Sequence, residues 1–227
     1  MNFDNSTPHR LAAASLAVLA LATSSPAQAQ ATTDSLAGWN VVGDAVAQGG
    51  SITLTTAYLD GAGDQTGNLS GTSAADIATV ESAAGVAPYA LDLSATEYGT
   101  EGSLIGQSFA AVAGQTLSFD WSFNTLETLF QDHAFAVING QVITLATAAA
   151  PGAASQSFSY TFAQSGIATL SFGVIDTVDY LGVSSLNIGN LQMTAPVPEP
   201  SAYAMLLAGL SLIGFVSQRR RGRRAED

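Results

Sequence analysis

Residues Thr116–Asn124 read TLSFDWSFN. Leu117, Phe119, Trp121 and Phe123 fall on one side of a period of two, and Thr116, Ser118, Asp120 and Ser122 fall on the other. That alternation predicts a β-strand with one large apolar face and one polar face. A single strand cannot bury such a face, so a second layer must cover it.

Working outward, the same period recurs. In Ser157–Phe162 it sets Phe158, Tyr160 and Phe162 against Ser157, Ser159 and Thr161; in Ala168–Val174 it turns Leu170, Phe172 and Val174 inward. Ser51–Leu59 offers Ile52, Leu54, Thr56 and Tyr58 to one side, and Leu186–Met193 reads as a closing strand. Asn139-Gly140 between Ala134–Ile138 and Gln141–Ala146 is the signature of a type I′ hairpin. Residues 148–155 (AAAPGAAS) read as a loop. One segment departs from the pattern. Ser73–Ala84 places Ile77, Val80 and Ala84 at helical spacing, with Ser73 as a cap and Gly85 just past the end. Many short strands and one short helix predict a mainly β chain, a single jelly-roll-like β-sandwich.

Charge is distributed unevenly. The chain of 227 residues carries six Lys or Arg and eighteen Asp or Glu, a net charge of −12, and no cysteine. All six cations are arginines at the ends: Arg10, then Arg219, Arg220, Arg221, Arg223 and Arg224. Residues 30–196 hold fourteen carboxylates and no Lys or Arg. A body without cations cannot neutralise phosphates, which excludes nucleic acid as a partner. The missing cysteines exclude a disulfide framework, a thiolate nucleophile and a cysteine metal site.

Arg10 precedes the apolar run Leu11–Ala22; Ser24-Ser25-Pro26 breaks it, and Ala27-Gln28-Ala29 forms a small-x-small site. This layout predicts a secretory signal peptide over residues 1–29, with a helical apolar segment, cleaved after Ala29. At the other end Val197-Pro198-Glu199-Pro200 is followed by the uncharged apolar run Ala202–Val216 and then by the arginines. Fifteen helical residues span about 23 Å, short of the ~30 Å hydrocarbon core. Ser201, Ser217 and Gln218 extend the helix, so a short transmembrane span over residues 201–218 is expected, with residues 219–227 cytoplasmic by the positive-inside rule. The order of parts resembles the PEP-CTERM sorting signal. The resemblance implies export through the secretion machinery, transient anchoring in the inner membrane, and processing by an exosortase near Val197–Pro200. The final location it implies is the cell surface or extracellular matrix of a bacterium that makes exopolysaccharide.

The body, residues 30–196, carries a looser resemblance. Its GWNVVGD at residues 38–44, Glu101-Gly102-Ser103, GQTLSFDW at residues 114–121 and Asp132-His133-Ala134-Phe135 are similar to sandwich domains of other PEP-CTERM proteins. Those domains are similar in outline to jelly-roll carbohydrate-binding modules.

For chemistry, the body offers few cues. His133 is its sole histidine, and no G-x-S-x-G elbow surrounds any serine. A glycosidase needs two carboxyls about 5–10 Å apart. Asp120, Glu127 and Asp132 lie near one another in sequence, but nothing there marks one as the acid. Calcium suits the composition better, since it takes six to eight oxygen ligands and needs neither His nor Cys. Asp60 and Asp64 stand in a glycine-rich acidic loop, Asp176 and Asp179 in a second, and Glu101 and Asp132 in the resembled segments. For sugar stacking, Trp121 shares the inward face of its strand, which leaves Trp39 and the tyrosines Tyr58, Tyr89, Tyr98 and Tyr180.

The expected function is that of an exported, non-catalytic surface or matrix protein with a structural or adhesive role in the exopolysaccharide layer. The alternative is a carbohydrate-binding module, with or without calcium. A glycoside hydrolase comes last.

Overall fold

A computed structural model describes residues 35–59, 64–150, 156–196 and 200–223. The signal segment with Ala27 and Ala29, the loop residue Asp60, and Val197, Pro198 and Glu199 lie outside the described residues.

Eleven strands are described: β1 (Asn40–Val42), β2 (Asp44–Gln48), β3 (Ser51–Thr55), β4 (Ala75–Asp76), β5 (Gly99–Ala111), β6 (Thr116–Thr125), β7 (His133–Ile138), β8 (Gln141–Thr147), β9 (Gln156–Thr161), β10 (Gly166–Thr177) and β11 (Ser184–Thr194). They form two sheets. One runs β1-β5-β10-β7-β8 with β4 on the flank of β5; the other runs β2-β3-β11-β6-β9. The pairings are antiparallel. From β5 to β7 and from β8 to β11 the chain crosses between sheets at each step, so the jelly-roll-like sandwich expected from the alternation is what forms.

The core sits between the sheets. Leu117, Phe119, Trp121 and Phe123 of β6 are all buried there with Ile105, Phe172, Val174, Leu186 and Ile188. Phe119 stacks on Phe158 at 5.0 Å and meets Phe172 edge-on at 4.7 Å. A second cluster lies on the outer side of the first sheet. There α1 (Ile77–Ala84) lays Val80 and Ala84 over Leu91, Leu104, Phe135, Val137 and Ile175. The helix cap is Asp76, not Ser73: its carboxylate accepts from Thr79 N at 3.0 Å, and Gly85 closes the helix with φ 71°. Ala75 and Asp76 are spent on β4, so the helix begins four residues after Ser73. The Asn139-Gly140 turn has φ of 53° and 77°, the conformation a type I′ turn requires.

Register gives the sandwich two distinct ends. Gly99 pairs with Thr177 at one end of the first sheet and Ala111 with Gly166 at the other. In the second sheet Thr125 pairs with Ser184 at the first end and Thr116 with Thr194 at the second. The connecting residues 56–59, 64–74, 126–132 and 178–183 therefore crowd one end, called here the loop end. The chain leaves β11 at the other, the tail end, toward the sorting segment.

Beyond it, α2 (Pro200–Arg223) is a 24-residue helix with exposed side chains at 204–217. Among the described residues no helix is long and apolar enough to cross a membrane.

Candidate functional site

The loop end collects the polar chemistry. Asp76 of β4, Glu101 of β5 and Asp176 of β10 stand directly opposite one another across three strands. Like charges in such a row repel. Asp132, at the start of β7, reaches into the same region from the other direction. Its Oδ1 accepts from Thr177 N at 3.0 Å, and its Oδ2 accepts from Ser184 Oγ at 2.6 Å. One carboxyl thus ties the entrance of β7 to the exit of β10 and the start of β11, and so ties one sheet to the other.

Burial and crowding set the protonation of these groups. Desolvation pushes Asp176 up to about 9, helped by the negative charges of Asp132, Asp179, Glu101 and Glu127. Desolvation raises Asp132 to about 7 against the hydrogen bonds from Ser184 and Thr177, which favour the ionised form. Asp76 moves the other way, lowered by the hydroxyl and backbone of Thr79. His133 lies on the opposite side of its strand, close to Phe135. Burial lowers its pKa to about 4, so it is neutral at physiological pH, and its Nδ1 has no hydrogen-bond partner among the described residues.

A second buried carboxylate orders the neighbouring loop. Asp44 accepts from Thr55 Oγ1 at 2.5 Å, Leu69 N at 2.9 Å and Ser70 N at 2.7 Å. Its own N–H donates to Ser103 Oγ, whose hydroxyl donates to the Thr55 carbonyl. Gly43 makes this approach feasible: with φ 80°, a Cβ there would stand 2.4 Å from Ser103 Oγ. Glu127 likewise folds its carboxylate back onto the N–H groups of Thr128, Leu129 and Phe130.

The structure thus brings together Glu101, Asp132, Asp176 and Asp179 of the six residues read as calcium ligands. Asp64 opens a 3-10 turn, Asp64–Gly67. The donor chemistry suits calcium, but the arrangement does not present a coordination shell. Both Asp132 oxygens are engaged with protein donors, and among the described residues no three His, Cys, Asp or Glu side chains are grouped to hold a metal ion. Asp120, the first of the carboxylates weighed for glycosidase chemistry, is far from this group in the strand; it is bonded to Ser157 and Asn190, which lower its pKa.

Beside the acidic row lies a cleft of about 520 Å³, lined by Tyr58, Ala74, Ala75, Asp76, Thr100, Glu101 and Tyr180. Tyr58 is 37% and Tyr180 56% exposed, whereas Glu101 is 2% exposed. Trp39 is elsewhere: half-buried, 6.2 Å from Phe172 and packed against the core edge. Sequence reasoning had singled out both tyrosines of the cleft. It missed Asp76 and Thr100, whose place there comes from strand register and not from any local motif.

Comparison with known proteins finds a match in the tail. Residues 196–221 match the model of the PEP-CTERM protein-sorting motif. No curated protein matches the chain. A solved structure titled "CBM4 structure and function" is similar at 10% identity and a TM-score of 0.35, covering 70% of this chain and 96% of that one. The sorting motif implies export, membrane anchoring and exosortase processing.

Proposed function

We propose that this chain is an exported, exosortase-processed protein of the cell surface or extracellular matrix, whose sandwich serves the exopolysaccharide layer by binding and not by turnover. The observation that carries this reading is the sorting motif at residues 196–221, reached directly from the last strand of the sandwich. In this reading the sorting segment, residues 196–221, anchors the chain at the inner membrane until the tail is cut. The apolar run Ala202–Val216 is short, but mismatch with a ~30 Å core costs only fractions of a kcal/mol per Å, and cleavage of the tail is what makes the anchor temporary.

The test is a full-length chain with separate tags at the mature N-terminus and the C-terminus, expressed in hosts with and without an exosortase. Loss of the C-terminal tag only where the exosortase is present supports the proposal. Equal retention in both hosts overturns it.

The second reading is a carbohydrate-binding module, favoured by the tyrosine-lined cleft. Its calcium-dependent form draws on Glu101, Asp132, Asp176 and Asp179 sharing the loop end, and it requires those side chains to regroup around the ion. Melting in calcium and in EDTA at pH 9 decides that form. A ligand at 100 times its Kd adds about 2.7 kcal/mol. A calcium-specific rise of several degrees supports it, and no rise removes it.

A further inference from the structure

The cleft beside the acidic row combines three features in one place. Its walls carry two exposed aromatic rings from different loops, Tyr58 beyond β3 and Tyr180 beyond β10. Its polar groups come from paired strands, because Asp76 and Glu101 are register partners across β4 and β5. The wall is also held in place: Thr100 Oγ1 lies 2.9 Å from the Asp176 carbonyl and 2.8 Å from the Asp179 carbonyl, which fixes the chain leading into Tyr180. Aromatic faces beside fixed carboxyl oxygens suit a ligand with apolar C–H faces and hydroxyl edges.

Charge narrows the class. Residues 30–196 contain no Lys or Arg, so nothing in the body can compensate an acidic ligand, and Asp76 is held ionised by Thr79. Like charges brought together on binding are penalised. Topology adds direction. The cleft is at the loop end, whereas the chain leaves toward the sorting motif from the far end of the 11-residue strand β11, about 35 Å away at strand rise.

We propose that this cleft is a binding subsite for a neutral saccharide, with Tyr58 and Tyr180 packing on sugar faces and the exposed carboxylate of Asp76 accepting from hydroxyls. It opens on the side of the sandwich away from the anchor. This rests on the binding-module reading above and names its site and ligand class.

The experiment is titration calorimetry on the full chain in detergent micelles, with cellohexaose, laminarihexaose and mannohexaose as neutral probes and hexagalacturonate as the acidic one. The variants are Tyr180→Ala, Tyr58→Ala and, at the tail end, Ile167→Ala, each checked by thermal melting. The expected result is binding of a neutral probe, about tenfold weaker for either Ala variant. Ile167→Ala keeps the wild-type affinity, and hexagalacturonate binds about tenfold or more weakly than the best neutral probe. If a neutral probe binds and neither Ala variant weakens it, the cleft is wrong and the module reading stands. If hexagalacturonate binds as well as the best neutral probe, the ligand class is wrong. If no probe binds the wild type, both the cleft and the module reading fall.

Discussion

Near the tail end, the space between the sheets is filled by Leu117, Phe119, Phe158, Tyr160 and Phe162, with ring centroids 5–6 Å apart. At the loop end the corresponding inward positions are Glu101, Ser103, Asp132, Asp176 and Ser184. Both ends are dry, yet they are held by different physics. Apolar packing is insensitive to pH and yields stability in proportion to volume. A buried polar network stabilises only while every member is satisfied and in the right protonation state. The half that anchors the fold carries no inward carboxyl or imidazole, and the half that presents the cleft carries the electrostatic cost. Four predictions test that division.

The largest effect is expected in the apolar half. Phe119→Ala removes a ring packed against Phe158 and Phe172, and it should cost about 3–5 kcal/mol in urea unfolding. The loss should be the same at pH 6.5 and pH 9. A loss that changes with pH would mean that the two ends are coupled.

The loop end should show the opposite behaviour. Burial raises Asp176 to about 9 and Asp132 to about 7 in the folded chain, above the 3.8 of an unperturbed aspartate. The folded state therefore keeps protons that the unfolded state has released. Their contribution is fully present below about pH 4 and is lost as pH rises through 7 and then 9. His133 works in the other direction: its pKa is lowered from 6.5 to about 4, so its contribution is lost as pH falls through that interval. Above pH 6.5 only the carboxyl effect remains, and Tm should fall by roughly 5–10 °C between pH 6.5 and 9. Asp176→Asn should melt close to wild type at pH 6.5 and above it at pH 9. A flat profile for the wild type would place these carboxyls in water.

The two halves also differed in how readily they could be read. β6 announced itself because one face is core and the other solvent, so the alternation is complete. β5 gave no such signal although it is the longest strand. It is covered by the opposite sheet on one side and by α1 on the other, so GTEGSLIGQSFAA has no polar face to alternate with. Its glycines answer close approaches: a Cβ at Gly102 would stand 2.3 Å from the Val174 carbonyl oxygen. The candidate site was legible as a list of acids and tyrosines, without their grouping. Asp76, Glu101 and Asp176 meet because three strands pair in one register, and strands 75 residues apart in sequence leave no local trace of that. Ser73 was the nearest capping residue to the helical spacing, but β4 claims the chain first and leaves Asp76 to cap.

A smaller, sharper test of the polar half is Asp132→Asn. Two donors, Thr177 N–H and Ser184 O–H, point at the two carboxyl oxygens. An amide keeps the acceptor for Thr177 N–H and donates to Ser184 Oγ, whose own proton turns to Thr125 Oγ1, much as the protonated acid does; what changes is the fit of an amide in a site shaped for a carboxyl. The expected cost is about 1 kcal/mol at pH 6.5, where the wild-type carboxyl is mostly protonated. It should shrink toward pH 9, because the wild type by then carries the penalty of an ionised buried carboxylate and the variant does not. A cost that grows with pH would show that the ionised form is the better partner for those donors.

The smallest effect belongs to the hairpin at the tail end, where the fold is locked from outside the core. Asn139 sits at φ 53°; its side-chain oxygen accepts from Thr169 N at 3.0 Å, and its own N–H donates to the Thr169 carbonyl at 3.0 Å. Asn139→Ala loses the side-chain acceptor and places a Cβ in the left-handed region, for about 1 kcal/mol. Asn139→Gly loses the acceptor alone, because glycine adopts that backbone freely, and should cost about half as much. Thr169 is exposed, so water takes over its N–H in both variants. The order Ala worse than Gly identifies backbone conformation as the main term. Equal costs would assign it to the Thr169 hydrogen bond, and neither cost should vary between pH 6.5 and 9.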